Sequence, residues 1–421
     1  MDHGGGTAGG RRLLRAMNGA EAGRGCPIAP GDFRLVGVGP FPSGLERYDV
    51  LQDQHRVWRV EEPGGEYFMV LDRRLTVQGL QDPATFSSKA IVVLDPDPMV
   101  CMKPIQLDPP EHSKWRKMLA SYFSPKRMPQ LEGRISARFV ELLDDIAPKG
   151  TGDFVAEVAV RFPSVIFLEI VGLPTEELET FLEWEAAMLH PDPSLPPDRE
   201  RQFNVMVQVM ERFQQAISES RADPDPDATD IISHAVDWEI DGEPVKDADI
   251  LECLLLLFMA GLDTVTNELT MAIHHLATHS EDRQALVDDP NIIAAAVEEL
   301  LRVYSIPQLA RKVTRDVSFG GVDFKSGDMV LFSLCAANRD PEAIDRAREV
   351  DFDRQPLPHY AFGAGPHRCL GSHLARQELT IALREWHRRI PHYELATDEP
   401  VLEHRGPVHG ISHLPLRWRP A

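Results

Sequence analysis

Between about Asp32 and Ala90, apolar and polar residues alternate in short runs, "RVWRVE" (56–61) and "EYFMVL" (66–71), around the turn Pro63-Gly64-Gly65. A period of two predicts strands. "DPDPMVCMKP" (95–104) is a proline-broken loop. From Pro110 the period lengthens to that of helices, in "PEHSKWRKMLASYF" (110–123), "RISARFVELLDDI" (134–146) and "TEELETFLEWEAAML" (175–189). "HPDPSLPPD" (190–198) and "ADPDPDATD" (222–230) interrupt it as loops. The longest predicted helix runs from about Asp247, as N-cap, to Ser280. Leu251, Leu255, Phe258, Leu262, Val265, Leu269 and Ile273 form its buried stripe. At 1.5 Å per residue it would extend on the order of 50 Å, the width of a whole domain. Past Arg302, "VSFGGVDF" and "DMVLFSLCA" return to strand-like alternation. A last helix carries Leu374, Leu379, Ile381 and Leu383. No repeat or linker divides the chain, so the pattern predicts a mainly α domain with small β-sheets over 31–421.

Composition narrows the function. With 66 acidic against 44 basic residues, the formal charge is -22, which as a whole repels nucleic acid and anionic membranes. The apolar run Leu254–Met259 is too short to span a bilayer and leads into Asp263. Cys26, Cys101, Cys253, Cys335 and Cys369 are odd in number and widely spaced, as in a reduced, cytoplasmic protein. Residues 1–30, Gly- and Arg-rich without an apolar centre, are expected to be a disordered leader.

Three segments could carry chemistry. "FGAGPHRCLGSHLAR" (362–376) places Cys369 among Gly363, Gly365 and Gly371 at the mouth of a helix. Glycines allow close backbone approach, and a helix N-terminus favours thiolate, so the segment could present a sulfur to a metal or a large flat group. In "MAGLDTVTN" (259–267), Leu256, Ala260, Asp263, Thr264 and Asn267 share a helix face. Two readings stand: a proton-handling pair beside a small ligand, or a Thr bonded back to its own helix and an Asp in a structural ion pair. In "EELLRVY", Glu299 and Arg302 lie at i and i+3, a spacing that is usually surface decoration. His275/His279 and Cys369/His373 have i, i+4 spacing, yet no CxxC or HExxH accompanies them, so a zinc enzyme is not indicated. Phosphate-loop and serine-hydrolase signatures are absent.

The order and separation of these segments carry more than each alone. "FGAGPHRCLG" resembles the haem-ligand signature F-G-x-G-x-H-x-C-x-G of bacterial cytochromes P450, "ELLR" their E-x-x-R, and "AGLDT" their oxygen-binding helix motif. "AGLDTV", "LREWHRRIP" and "GISHLPLRW" are most similar to the camphor-hydroxylase-like branch. The resemblance covers roughly Asp32 to the end. It implies the P450 fold, a triangular prism with a long central helix over haem b, and a monooxygenase that inserts one oxygen atom of O2 into a hydrophobic molecule.

The resemblance also implies residue roles. Cys369 would ligate the iron, with Phe362 and Gly363 packing around the sulfur. Asp263 and Thr264 would deliver protons, Ala260 and Gly261 would form the dioxygen groove, and Glu299 and Arg302 would pin the segment leading to the cysteine. His112, Arg116, Arg311 and His367 would hold the propionates; for His112 and Arg311 the alternative is a solvated surface position. Leu256, Met259, Ala260, Pro307, Leu309 and part of 86–102 would line an apolar substrate pocket. The 86–102 segment has no Tyr, which weighs against camphor itself; a terpenoid is expected first, a steroid or aromatic ether second. Electrons would come from a separate ferredoxin and its NAD(P)H-dependent reductase, docking near Lys114, Lys117, Arg368 and Arg376. A peroxide-driven relative is disfavoured by Asp263-Thr264, and so is a non-catalytic haem sensor.

Overall fold

A computed structural model describes residues 33–62, 64–190 and 199–420. The expected leader, Cys26, Pro63 and all of the 190–198 loop except His190 lie outside the described residues. Helices dominate, and most occur where the apolar spacing places them. Helix Met128–Ile146 buries Met128, Leu131, Ile135, Phe139, Leu143 and Ile146, one side chain per turn, and has a proline in its first turn. Helix Ser372–Arg389, which follows the cysteine loop, lies against it and against helices Asp263–Thr278 and Ile293–Val303. Trp386 anchors this junction, edge-on to Phe154, Tyr393 and Trp418.

The helix expected over 247–280 is two helices, Asp247–Gly261 and Asp263–Thr278, broken at Leu262. The apolar stripe continues through the break: Leu255, Phe258, Leu262, Val265, Leu269 and Ile273 are all buried. What changes is the fate of the carbonyls. Thr264 Oγ1 donates to Ala260 O at 2.9 Å, Thr266 Oγ1 to Leu262 O at 3.0 Å, and Asn267 Nδ2 to Asp263 O at 2.8 Å. Side-chain donors that reach the helix's own carbonyls loosen and bend the ladder. Asp247 is the first helical residue, not the cap; Lys246 occupies that position, and Asp247 pairs with Arg221.

The principal sheet has the spatial order Val57–Glu62, Gly65–Val70, Met329–Ser333, Gln308–Val313, Phe86–Ser87. Met329–Ser333 is parallel to Gly65–Val70 and antiparallel to Gln308–Val313, and all five of its residues are buried, as a central strand requires. In Gln308–Val313, Leu309 and Arg311 fall on one face by strand alternation. "VSFGGVDF" forms the expected hairpin, Val317–Phe319 with Val322–Phe324. Two three-stranded sheets and a two-stranded ribbon, Glu239–Ile240 with Glu243–Pro244, complete the sheets among the described residues; one of the former joins Gly37–Pro40, Leu402–Arg405 and Gly410–His413.

Helix Ser372–Arg389 also buries a carboxyl. Glu378 is 2% exposed, and desolvation alone raises its pKa to about 8. Between pH 4.5 and 8 the folded chain therefore holds a proton that the unfolded chain releases, and stability falls as pH rises through that window. Glu378→Gln should remove this slope. Denaturant midpoints at pH 5 and pH 8 are expected to agree for wild type and variant at the lower pH. At pH 8 the variant should be more stable by on the order of 2 kcal/mol; equal midpoints at pH 8 would refute the assignment.

Candidate active site

The cysteine loop is built by backbone geometry only glycine adopts freely. Gly363 and Gly365 have φ of 73° and 70°, and a Cβ on Gly365 would lie 2.2 Å from Leu80 O. Gly363 N–H donates to Tyr360 O, and Cys369 N–H donates to Phe362 O, both at 2.8 Å. The Phe362 ring stacks under the Arg376 guanidinium, 4.4 Å from centroid to Cζ. Leu309 Cδ1 stands 3.3 Å from where a Gly363 Cβ would be, so the sheet strand reaches this loop.

Cys369 has accessible surface, yet desolvation is the largest influence on its thiol and raises its pKa. Both hold if the accessible surface faces an internal cleft. Ala260 and Gly261, in the middle of an otherwise buried pair of helices, are exposed in the same way. The Gly371 N–H and the charges of Arg116, Arg368 and Arg376 pull the thiol back down. The helix begins at Ser372, and burial outweighs these groups unless a metal takes the sulfur.

Around the cysteine the chain gathers cationic and imidazole groups, and Asp108 is the carboxylate whose charge acts on Arg311 and His112. Arg311 is 4% exposed; its Nη1 donates to Ala310 O at 2.7 Å, and burial lowers its pKa to about 10. The His112 and His367 rings lie 3.9 Å apart. His112 Nδ1 and His367 Nε2 are buried without partners, and burial lowers these pKa values to about 4 and about 2. Among the described residues Arg116 and Arg311 form no ion pair. A surface position for His112 and Arg311 is therefore ruled out. Buried cations and orphaned imidazole nitrogens need anions, and a flat group bearing two carboxylates fits this set.

Across the helix break, Asp263 is buried. Its Oδ1 takes a hydrogen bond from Asn267 Nδ2 at 2.6 Å and lies 2.8 Å from His190 Nε2. Burial raises the Asp263 pKa, but these two partners and His404 outweigh it, and the net shift is downward. Glu185, buried nearby, is raised to about 8 by desolvation and by the Asp263 charge. Thr264, bonded to Ala260 O, keeps its oxygen lone pairs as acceptors. Both structural features weighed for this segment are therefore present, the back-bonded Thr and the paired Asp. His190, His404 and Glu185 escape sequence reasoning: each is an isolated polar residue in a loop, strand or helix with no motif around it.

Glu299 and Arg302 form a bidentate pair at 2.8 Å and are 7% and 1% exposed. The guanidinium also donates to the carbonyls of Asn338, Ala347 and Glu349, and Glu299 accepts from Arg354 Nε and Asp351 N–H. The pair is an interior clamp on 338–354, not surface decoration.

Other expected positions divide. Leu256 is buried, while Met259, Pro307 and Leu309 are partly buried. Of the 86–102 segment, Phe86 belongs to the sheet core: its strand pairs with Gln308–Val313, and the ring is buried among Phe319, Phe324 and Phe332. The basic docking patch shrinks: Lys114 pairs with Asp241 and Arg376 with Glu298, leaving Lys117 and Arg368 exposed. His275 bonds Tyr304 and Asp282 and stacks on His279, which gives that pair structural partners.

A family profile described as "Cytochrome P450" matches residues 181–399. The chain is 34% identical to "Probable cytochrome P450 127A1" of Sinorhizobium fredii, over 80% of each chain. It is 30% identical to "Mycinamicin IV hydroxylase/epoxidase" of Micromonospora griseorubida, over 88% of this chain and 95% of that one. The solved structure of CYP101J2 superposes with a TM-score of 0.83 at 29% identity, covering 92% of this chain and 96% of that one. The chain belongs to the cytochrome P450 family. It is a haem-thiolate monooxygenase whose cofactor is haem b, and its likeness to a CYP101 structure agrees with the branch its sequence resembles.

Arg302→Leu should cost about 3–5 kcal/mol, because it leaves a buried carboxylate with one cation fewer and frees three carbonyls. The denaturant midpoint and the haem-to-protein ratio are both expected to drop. A variant that unfolds at the wild-type midpoint would show that the clamp is dispensable.

Proposed function

We propose that residues 33–420 act as one haem domain that hydroxylates a hydrophobic small molecule, with Cys369 as the axial ligand. The supporting observation is the set of buried His112 and Arg311 with half-buried Arg116 and His367, short of counter-charge and beside the glycine loop that carries Cys369. Arg116 and Arg311 would pair with the two propionates, and the imidazole nitrogens would donate to them. When bound, haem supplies dioxygen binding and reductive O–O cleavage, which sends one oxygen atom to the substrate and the other to water.

The reaction consumes two electrons and two protons, and the chain's own part is to bring the protons. Thr264 Oγ1 would orient and donate hydrogen bonds at the exposed stretch Ala260–Gly261, releasing Ala260 O as it turns. Asp263 would re-supply the proton, drawing on His190. Leu256, Met259, Ala260, Pro307 and Leu309 would exclude water and hold substrate by apolar contact. Apolar walls suit a terpenoid first and a steroid or aromatic ether second. Electrons would come from a ferredoxin served by an NAD(P)H-dependent reductase, which would approach near Lys117 and Arg368. Cytoplasmic location is supported by four free cysteines and by the lack of any described helix long and apolar enough to cross a membrane.

The reduced carbon-monoxide difference spectrum of the purified protein should show the Soret position of thiolate-ligated haem, and Cys369→Ala should abolish it. A thiolate spectrum that survives the substitution would remove Cys369 from the site. With a ferredoxin couple and a substrate found by spin-state shift, Thr264→Ala should keep haem but lower product per electron pair at least about tenfold, the remainder appearing as peroxide. Unchanged coupling would mean that protons arrive by another route.

A further inference from the structure

His190, Asp263 and His404 come from the end of one helix, the start of another and the central strand of a three-stranded sheet, 73 and 141 positions apart (263 − 190 and 404 − 263). Each turns one ligand atom, an imidazole nitrogen or a carboxylate oxygen, to within 4.8 Å of the other two. Neither ring nitrogen of His404 has a hydrogen-bond partner, although both are buried. A buried imidazole with both nitrogens orphaned, 4.7 Å from a second imidazole ring and close to a carboxylate, is poorly explained as packing. Gly410 lets the backbone close over this cluster: a Cβ there would lie 1.7 Å from Asn267 Oδ1 and 2.7 Å from His404 Cε1.

We propose that His190, Asp263 and His404 bind one divalent first-row transition-metal ion, with Zn2+ the best match. Two imidazoles and one carboxylate are the donor set of three-ligand zinc sites, which leave a fourth position for water. In such a site the ligand atoms are about 3.3 Å apart, as follows from metal–ligand distances near 2.0 Å. His190 Nε2 and Asp263 Oδ1, 2.8 Å apart, already lie inside that spacing, so closing the site means bringing His404 nearer to them by on the order of an ångström. His190 can open the few tenths of an ångström that admit the ion between it and Asp263, because it follows the last turn of its helix and its side chain is 30% exposed. Asn267 holds the carboxylate in place, and buried Glu185 adds a further acid close by. Magnesium and calcium, which prefer all-oxygen shells, do not suit two imidazoles. The site lies on Asp263, so if Asp263 delivers protons as proposed above, an occupied site withholds that carboxylate and acts as a metal-sensitive brake.

The site is tested apart from its effect on turnover. Untagged, haem-loaded ferric protein is stripped with a chelator and titrated with Zn2+ by calorimetry, with Mg2+ as the contrast. One Zn2+ per chain is expected, with two imidazoles in its X-ray absorption spectrum and no response to Mg2+. His404→Ala, His404→Gln and His190→Ala should each weaken binding at least about tenfold. Haem content and melting temperature serve as folding controls. His279→Ala, in the other histidine cluster, should leave affinity unchanged. Absence of saturable binding, full affinity in all three variants, or loss of binding in His279→Ala would overturn the proposal. Product formation is then measured with and without Zn2+. Binding without inhibition would leave the metal site standing and would count against Asp263 as the proton source.

Discussion

The buried pair Glu299–Arg302 is the constraint on which the proximal half depends. A guanidinium 1% exposed must fill its donors, and here they go to one carboxylate and three carbonyls from a stretch with little regular structure. That stretch, 338–354, has no hydrophobic periodicity to fold it and lies just before the cysteine loop. Its shape is dictated by the fork of one side chain. Asn338 extends the same logic: its Oδ1 accepts from Tyr360 N–H at the entrance to the cysteine loop, and its Nδ2 donates to Ser305. A rigid helix thereby sets the position of a flexible segment by polar contacts, which are directional where apolar contacts are not.

This explains why some of the site was legible in the sequence. The glycines around Cys369 announce a left-handed backbone and close approach, and both occur at Gly363 and Gly365. Period-two and period-3.6 runs locate the sheet and most helices because burial enforces them. Spacing alone conveyed little about Glu299 and Arg302, since i, i+3 pairs are common on wet surfaces; what sets this pair apart is the depth at which it sits. The break at Leu262 was hidden for a related reason. The apolar stripe runs through it unbroken, and the cause lies in Thr264, Thr266 and Asn267, whose side chains take carbonyls from the helix. Helical periodicity reports which face is buried and says nothing about who bonds the backbone.

Long-range polar assemblies were the least legible. His112 and Arg311 stand 199 positions apart (311 − 112), and nothing local distinguishes them from solvated residues. Only the fold buries them together, and only the family resemblance pointed to them beforehand. Phe86, the first residue of the 86–102 segment, belongs to the sheet core, where three aromatic rings surround it.

Asp263 shows what burial demands of an acid at the helix break. A carboxylate this deep must be compensated, and a partner strong enough to hold it ionised also ties it down. A lysine or arginine would hold it permanently charged and paired. His190 is a titratable partner; burial works against its charge, the bond to Asp263 outweighs that and raises its pKa, and its side chain is partly exposed. The helix break adds the mechanical counterpart, because a hydroxyl bonded to a carbonyl at a loosened turn can leave it at little cost. The same convergence of imidazole and carboxylate that makes the acid usable also gives it the donor set of a metal site.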